Sequence, residues 1–210
     1  MKVKVLLLAM VLGLFMATGA FATTLSFDDI VVSAPAEINT PQVTNGYGDL
    51  QWDNFYVADA TAYAGGSTGY YNGMVSRNNV AFNGYGHPSG FSAGSFDLAS
   101  AWFSAAWNDE LLIQVDGYLG GVLKQSLSTL VDTSGSTQVT FNWTGIDTVV
   151  FTSSGGTPNI DFSAYGSGTQ FAMDDLEVSN VRAVPEPATV LGFGVPILMI
   201  GLGKLRGLRK

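Results

Sequence analysis

Short runs in which apolar and polar residues alternate recur along the middle of the chain. In Thr137–Trp143 the apolar side chains of Val139, Phe141 and Trp143 alternate with polar ones, which is the period-two pattern of a strand with one buried face. No window of a dozen residues between positions 23 and 182 sustains the 3.6-residue period of an amphipathic helix. Further strand-like runs are Thr24–Val31, Leu50–Val57, Asn79–Asn83, Ser95–Leu98, Ala101–Trp107, Leu111–Tyr118, Val122–Leu127, Thr148–Thr152 and Gln170–Val178.

Turn residues separate these runs at short intervals. Glycine, serine and threonine cluster between them, and the pairs Asp116-Gly117 and Gly120-Gly121 are typical of a hairpin between two of the runs. Many short strands with frequent turns favour an all-β fold over an alternating α/β fold. The pattern therefore predicts an antiparallel β-sandwich of jelly-roll type over positions 23–182, a length that supports one hydrophobic core.

The first 22 residues have the composition of a secretory signal peptide. Lys2 and Lys4 precede an apolar stretch over Val5–Ala17, and Ala20-Phe21-Ala22 supplies the small-x-small pattern that precedes a cleavage site. We therefore expect a signal helix within residues 1–22 and an exported chain that begins at Thr23. The alternative is an N-terminal anchor that is not cleaved.

The tail over residues 183–210 has three parts. Val184, Pro185, Glu186 and Pro187 form its rigid start, and an uncharged apolar run follows over Ala188–Gly203. At about 1.5 Å per residue this run spans about 24 Å as a helix, slightly less than a hydrocarbon core of about 30 Å. We therefore expect a marginal transmembrane helix, followed by basic residues that stay on the cytoplasmic side. The basic residues are Lys204, Arg206, Arg209 and Lys210.

In the order and spacing of its parts, this tail resembles the PEP-CTERM sorting signal of Gram-negative bacteria. The resemblance implies that the Sec machinery exports the chain and that an exosortase, a membrane protease, then cuts near Pro185-Glu186-Pro187. It implies an inner-membrane anchor before processing and a place on the cell surface or outside the cell afterwards, commonly in species that make exopolysaccharide. The alternative is an ordinary C-terminal anchor with a proline-rich hinge.

Composition excludes several classes of function. Positions 23–182 carry 16 acidic residues against three cations, a net charge of −13, so nucleic acid is not expected as a partner. The chain has no cysteine, which excludes a thiol nucleophile and Cys-based metal sites. The acidity indicates either plain solubility or an affinity for divalent cations such as calcium, which prefers carboxylate oxygens.

Two acidic doublets lie at the two ends of the exported region. Asp28 begins one doublet in the first run, and Asp174 and Asp175 form the other in the last run. This layout resembles that of jelly-roll carbohydrate-binding modules, in which the first and last strands lie side by side and their acids hold a structural calcium ion. The resemblance implies a calcium site formed by Asp28, Asp174 and Asp175, with Asp49 as a further ligand from a loop. Alternatively, each doublet exposes a carboxylate to water, because side chains alternate along a strand.

Glycine and aromatic residues are dense between Thr61 and Gly94. Tyr70, Tyr71 and Tyr85 are candidates for a sugar-stacking surface on loops, because an aromatic ring offers a flat apolar face beside a polar tip. The alternative is that these tyrosines fill the corners of the sandwich.

Signs of catalysis are weak. His87 is the single histidine, so a catalytic triad would have to use it, and the glutamates of the exported region have no distinctive surroundings. We therefore interpret the chain as a non-catalytic cell-surface or extracellular-matrix protein, with exopolysaccharide as a candidate partner. The alternatives are a calcium-stabilised carbohydrate-binding module with a defined saccharide site and a small polysaccharide hydrolase.

Overall fold

The computed structural model describes residues 22–36, 39–66, 68–162 and 166–184. The expected signal helix and the expected transmembrane helix lie outside these residues. None of the helices within the described ranges has the length and apolar character needed to cross a membrane. These helices are short: α1 spans Gly69–Asn72, and 3₁₀ segments span Tyr47–Asp49, Ala60–Gly66, Gly84–Gly86 and Ile160–Phe162.

The described residues form nine strands, and the pairings between them are antiparallel. The prediction of an all-β antiparallel fold is therefore confirmed. The strands are β1 (Thr23–Leu25), β2 (Gln51–Asp53), β3 (Phe55–Asp59), β4 (Asn79–Asn83), β5 (Ser89–Ala105), β6 (Asn108–Leu119), β7 (Val122–Val131), β8 (Thr137–Pro158) and β9 (Phe171–Arg182).

The strands follow one hydrogen-bonded order, β3-β4-β9-β5-β8-β6-β7, with β1 attached to β9 and β2 attached to β5. Thr23 lies opposite Val178, and Leu25 lies opposite Leu176. The first and last strands are therefore neighbours, as expected. Leu25 and Leu176 are both buried, so this pairing is part of the core.

β5 and β8 are longer than the sequence pattern predicted. Register shifts interrupt the pairing of β5 with β8 around Phe96 and Leu98. A bulge adds a residue to one strand and interrupts the alternation of apolar and polar residues, although the backbone ladder continues. The sequence pattern therefore predicts two short strands where the structure has one long strand. The merged runs are Ser95–Leu98 with Ala101–Trp107 in β5, and Thr137–Trp143 with Thr148–Thr152 in β8.

Two other predictions about strand ends were wrong. Leu50–Val57 is not one strand, because Asn54 adopts a left-handed φ of 52° and separates β2 from β3. Gly117 lies within β6 rather than in a turn. The chain reverses at Gly120 and Gly121, which both have positive φ and suit a tight hairpin turn.

Aromatic rings join the two faces of the folded sheet. Phe55 of β3 contacts Phe151 of β8 with ring centroids 5.6 Å apart, and Phe171 of β9 contacts the same ring at 6.1 Å. Because β3 and β8 are four steps apart in the strand order, these contacts require the sheet to fold over into two facing layers. The three side chains are buried, so the core lies between the layers.

A second, smaller apolar cluster lies on the other face of β4. Ala81 belongs to the core between the layers, whereas its neighbour Val80 packs with Tyr70 and Trp107 in the second cluster. The alternation of side chains along a strand accounts for this division. Helix α1, which carries Tyr70, therefore covers the outer face of the sheet at this point.

Candidate functional site

The turn between β4 and β5, Gly84–Pro88, is fastened to the sheet by one side chain and is called the Tyr85 turn below. The Nδ2 atom of Asn54 donates to the carbonyl oxygens of Gly84 at 3.1 Å and of Pro88 at 2.9 Å. The Gly84 N–H in turn donates to the Asn54 carbonyl oxygen at 2.9 Å. Because Asn54 sits at the break between β2 and β3, this break and the turn hold each other in place.

The backbone of the Tyr85 turn directs its central side chain. Tyr85 has a left-handed φ of 58°, a conformation that costs a residue with a Cβ atom about 1 kcal/mol. Gly84 permits close packing before it, because a Cβ atom there would lie 2.4 Å from the Tyr56 ring. The strained backbone of Tyr85 marks this turn as a candidate functional site.

Tyr85 stands beside a small cleft, the Tyr85 cleft. Its side chain is 78% exposed, and its ring centroid lies 6.3 Å from that of Tyr56, which lies 5.7 Å from that of Phe82. The Tyr56 hydroxyl accepts a hydrogen bond from Gln42 Nε2 at 3.0 Å. Exposed ring faces beside polar groups suit a sugar ring, which has both apolar C–H faces and hydroxyls. The cleft has a volume of about 200 Å³ and is lined by Thr40, Tyr56, Phe82, Gly84, Tyr85 and Gln170.

A second depression, the Gly90 groove, flanks the same turn and has a volume of about 140 Å³. A Cβ atom on Gly90 would lie 2.4 Å from the Val149 carbonyl oxygen, so this position requires glycine. Strand register places Gln51, Ser92 and Thr148 opposite one another, which gives a row of hydrogen-bonding groups. The groove is lined by Gln51, Asp53, Pro88, Ser89, Gly90, Phe91, Ser92, Thr148, Val149 and Val150.

The segment Gly90–Gly94 matches the sequence motif Gly-x-Ser-x-Gly. In hydrolases this motif places a nucleophilic serine on a sharp turn between a strand and a helix. Here Ser92 lies inside β5, opposite Gln51 of β2. The segment is therefore not arranged as such a turn, and Ser92 contributes a hydroxyl to the Gly90 groove. His87 is exposed, with its ring centroid 6.2 Å from that of Tyr85.

The structure separates the three tyrosines that were predicted to stack on sugar. Tyr85 presents its ring to solvent, whereas Tyr70 is 4% exposed and packs against Phe82 and Trp107, each at 5.4 Å between centroids. Burial raises the pKa of Tyr70 above its usual range. Tyr70 therefore offers no ring face to a ligand in this structure. Tyr71 is 37% exposed on the same helix, and its role stays a prediction.

The two acidic doublets converge on Val75–Asn79, which we call the 75–79 segment. Asp174 is 1% exposed and accepts hydrogen bonds from the N–H of Val75 at 2.8 Å, the N–H of Ser76 at 3.0 Å and the Ser76 hydroxyl at 2.9 Å. Asp28 accepts from the N–H groups of Arg77 at 3.2 Å and Asn79 at 3.1 Å. These carboxylates therefore fasten a loop to the ends of the paired first and last strands.

Asp174, one of the residues predicted to bind calcium, already has a full set of hydrogen bonds within the protein. The Asp175 N–H also donates to Asp174 Oδ1, at 2.7 Å, so four donors occupy the roughly four lone-pair positions of the Asp174 carboxylate. Asp49 is exposed in the Tyr47–Asp49 segment. Within the part of the chain that the structure describes, no group of three acidic, histidine or cysteine side chains is placed to hold a metal ion. Calcium binding stays a prediction.

Burial dominates the electrostatics of the second doublet. It raises the pKa of Asp174 above its ordinary value, against the hydrogen bonds from Val75, Ser76 and Asp175. Burial also raises the pKa of Asp175, and the negative charges of Asp28 and Glu177 add to this effect, against a hydrogen bond with Ser76. The doublet therefore holds its protons more tightly than free carboxylates do.

Sequence reasoning missed three residues of the site. Tyr56 and Phe82 lie opposite each other on β3 and β4. In the sequence, nothing distinguishes either of them from other residues of a strand. Asn54 holds the Tyr85 turn, and an asparagine in the middle of an apparent strand was the one available signal. Asparagine is among the residues that tolerate a left-handed backbone.

Comparisons with known proteins find similar solved structures, of which two are described here. No protein-family model matches the chain, and no curated protein matches its sequence. The chain is similar to TmCBM61, solved in complex with β-1,4-galactotriose, at 12% identity and a TM-score of 0.33, covering 61% of this chain and 85% of that one. It is similar to Family 16 Carbohydrate Binding Module-2 at 13% identity and a TM-score of 0.31, covering 70% and 97% respectively. Both of these structures are carbohydrate-binding modules.

Replacement of Asp174 by alanine tests whether its carboxylate holds the 75–79 segment without a metal. It removes the acceptor of three backbone N–H groups, and each buried unpaired donor costs about 1–3 kcal/mol. We expect the free energy of unfolding to fall by about 3 kcal/mol or more in Asp174→Ala, with little change in Asp161→Ala, an exposed control. Superimposable melts of the wild-type protein in EDTA and in excess calcium would show that these hydrogen bonds need no ion. A calcium-dependent rise of several degrees would show instead that the ion displaces these donors.

The pH dependence of stability tests the burial of the same carboxyl group. Because the folded-state pKa lies above the ordinary value of 3.8, the folded state binds more protons than the unfolded state between these two values. The contribution of Asp174 to stability is therefore greatest below about pH 3.8 and falls as the pH rises to the raised pKa, above which it is constant. Urea unfolding should show that the stability of the wild-type protein relative to Asp174→Asn falls over this range. A rise over the range would mean that the hydrogen bonds outweigh burial.

Proposed function

We propose that the protein is an exported, exosortase-processed, non-catalytic protein of the cell surface or extracellular matrix that binds polysaccharide at the Tyr85 cleft. The observation that carries this proposal is the exposed ring of Tyr85, held by a left-handed backbone beside Tyr56 and Phe82. Covering the apolar face of the ring with a ligand removes that area from water, and an ordered turn keeps the entropy cost of binding low. A pyranose ring, with its apolar C–H face, matches this surface.

The polar character of the surroundings supports a saccharide over a purely apolar ligand. The Gly90 groove beside the turn carries Asp53 and Gln51 and the hydroxyls of Ser92 and Thr148. Such groups satisfy the hydroxyls of a sugar, and they fix its orientation by hydrogen bonds. This groove favours the second candidate function, a carbohydrate-binding module with a defined saccharide site rather than a general affinity for polysaccharide.

The export part of the proposal rests on the two ends of the chain. β9 ends at Arg182, and Val184, the first residue of the sorting motif, is 57% exposed. Pro185, Glu186 and Pro187 lie outside the described residues. An exposed position just beyond the last strand of a domain is a favourable place for proteolysis.

Truncation of Tyr85 tests the binding site. Loss of a central aromatic contact costs about 1–2 kcal/mol or more, so Tyr85→Ala should weaken binding to the best ligand of a glycan array about tenfold. Ile160→Ala, at an apolar side chain that is 84% exposed and does not line the cleft, is the control and should bind as the wild type does. Isothermal titration with purified oligosaccharide gives the dissociation constants. Equal affinities for wild type and Tyr85→Ala would exclude the Tyr85 cleft as the site.

Processing is tested by the mass of the native protein. Intact-mass spectrometry of culture supernatant and of membranes should show a chain that begins near Thr23 and ends between Val184 and Pro187. An exosortase deletion strain should retain the tail. Recovery of full-length chain alone, in the inner membrane, would contradict the sorting hypothesis.

A further inference from the structure

Of the two edge strands of the folded sheet, β3 is covered by a neighbouring segment and β7 is not. At the β3 edge, residues 41–43 run alongside the strand: Val57 N–H donates to the Pro41 carbonyl at 2.8 Å, and Val43 N–H donates to the Phe55 carbonyl at 2.9 Å. A β-bridge between Gln42 and Tyr56 completes this cover. At the opposite end of the strand order, β7 pairs with β6, and within the described residues no further strand lies along its outer edge.

Strand β7 lacks most of the features that keep an open edge from pairing. Such edges are usually protected by charged residues, proline, bulges or short length. Over the ten residues Val122–Val131 there is no acidic residue and no proline, and Lys124 is the one charge. A register shift disturbs the pairing of β7 near Lys124, but from Gln125 to Val131 the ladder with β6 is regular. This regular stretch offers unpaired backbone groups.

Exposed apolar side chains accompany this open edge. Leu130 is 61% exposed and lies opposite Leu112 of β6, which is 38% exposed. Val122 and Leu123 are also more than half exposed. Apolar side chains along an unpaired strand mark a surface that gains from being covered.

We propose that β7 pairs antiparallel with β7 of a second copy of this chain. Charge permits a second copy at this strand. The exported region has a net charge of −13, so acidic surfaces of two copies repel one another. Val122–Val131 carries no acid and one lysine, so the repulsion is weaker there than between acidic stretches.

The register follows from symmetry and charge. A two-fold axis perpendicular to the sheet keeps the inner and outer faces continuous when a residue lies opposite its own copy. With Ser128 at the axis, Leu130 lies opposite Ser126 of the second copy. Lys124 and Asp132 flank the regular stretch at its two ends, so each lysine comes near the Asp132 of the other copy, and this proximity of opposite charges occurs twice. Asp132 is exposed, and its Oδ1 accepts a hydrogen bond from Glu110 N–H at 2.8 Å, which leaves Oδ2 to face the lysine.

The absence of cysteine allows a direct test in the full-length chain. In Ser128→Cys the two copies of the new residue would face each other with Cα atoms about 4.5–5.5 Å apart, within the range of a disulfide. The chain has no other cysteine, so any disulfide-linked dimer must join the two copies of residue 128. Mild oxidation of the producing cells, followed by a non-reducing gel, should convert most of the protein to a dimer. Thr140→Cys, at an exposed position on β8, is the matched control and should run as a monomer on the denaturing gel, because its cysteines do not meet in the proposed dimer.

A charge at the axis provides the second measurement. Ser128 is exposed, so Ser128→Lys should fold normally while it places two like charges opposite each other and abolishes the dimer. Thr140→Lys should leave the dimer intact, and sedimentation equilibrium distinguishes the two. The proposal is overturned if Ser128→Cys forms no more dimer than Thr140→Cys, if its adduct has the mass of a different protein, or if Ser128→Lys sediments as the wild type does.

Discussion

The contact between the rings of Phe55 and Phe151 determines much of the architecture, because it joins strands four steps apart in one sheet. Burial of a phenylalanine contributes about 1.5–3 kcal/mol, and several rings meet at this layer. The same contact positions the candidate site. Since side chains alternate along a strand, fixing Phe55 toward the core turns its neighbour Tyr56 outward, against the Tyr85 turn. The candidate site therefore lies on the outer face of β3 at Tyr56, while the adjacent residue Phe55 packs into the core between the two layers.

The class of fold could be predicted from the sequence because strand alternation is a local signal. Asn79–Asn83 was predicted with the bounds that β4 has, and the pairing of β1 with β9 was also expected correctly. The long strands β5 and β8 were divided in two, because a bulge disturbs local alternation although the backbone ladder persists. The break at Asn54 was missed for a related reason. A left-handed residue changes the direction of the chain without changing the apolar pattern.

The candidate site could be predicted only in part, because burial depends on contacts distant in sequence. Tyr70 and Tyr85 occur in similar glycine-rich surroundings, yet Trp107 and Phe82 enclose Tyr70, whereas Tyr85 stands free of the core. For the acidic doublets the sequence indicated that carboxylates converge, and the structure brings them together. It could not indicate that Val75 and Ser76 would supply the hydrogen-bond donors. Those residues lie about a hundred positions before Asp174, so no local pattern connects them.

The pairing of β1 with β9 has a consequence for the connectivity of the fold. Thr23 and Val178 are directly opposite partners, so the folded backbone nearly closes into a ring. If the two chain ends were joined, the position of new ends elsewhere in the backbone would determine the order of the strands along the chain. The Gly120-Gly121 turn is exposed, and one side chain holds it, through the hydrogen bond from Gly120 N–H to Asp147 Oδ2 at 2.6 Å. A Cβ atom at either glycine would meet no neighbouring atom, so new ends could be placed there without a clash. We therefore expect the domain to tolerate circular permutation at this turn, since the packing of the strands, rather than their order along the chain, determines the structure.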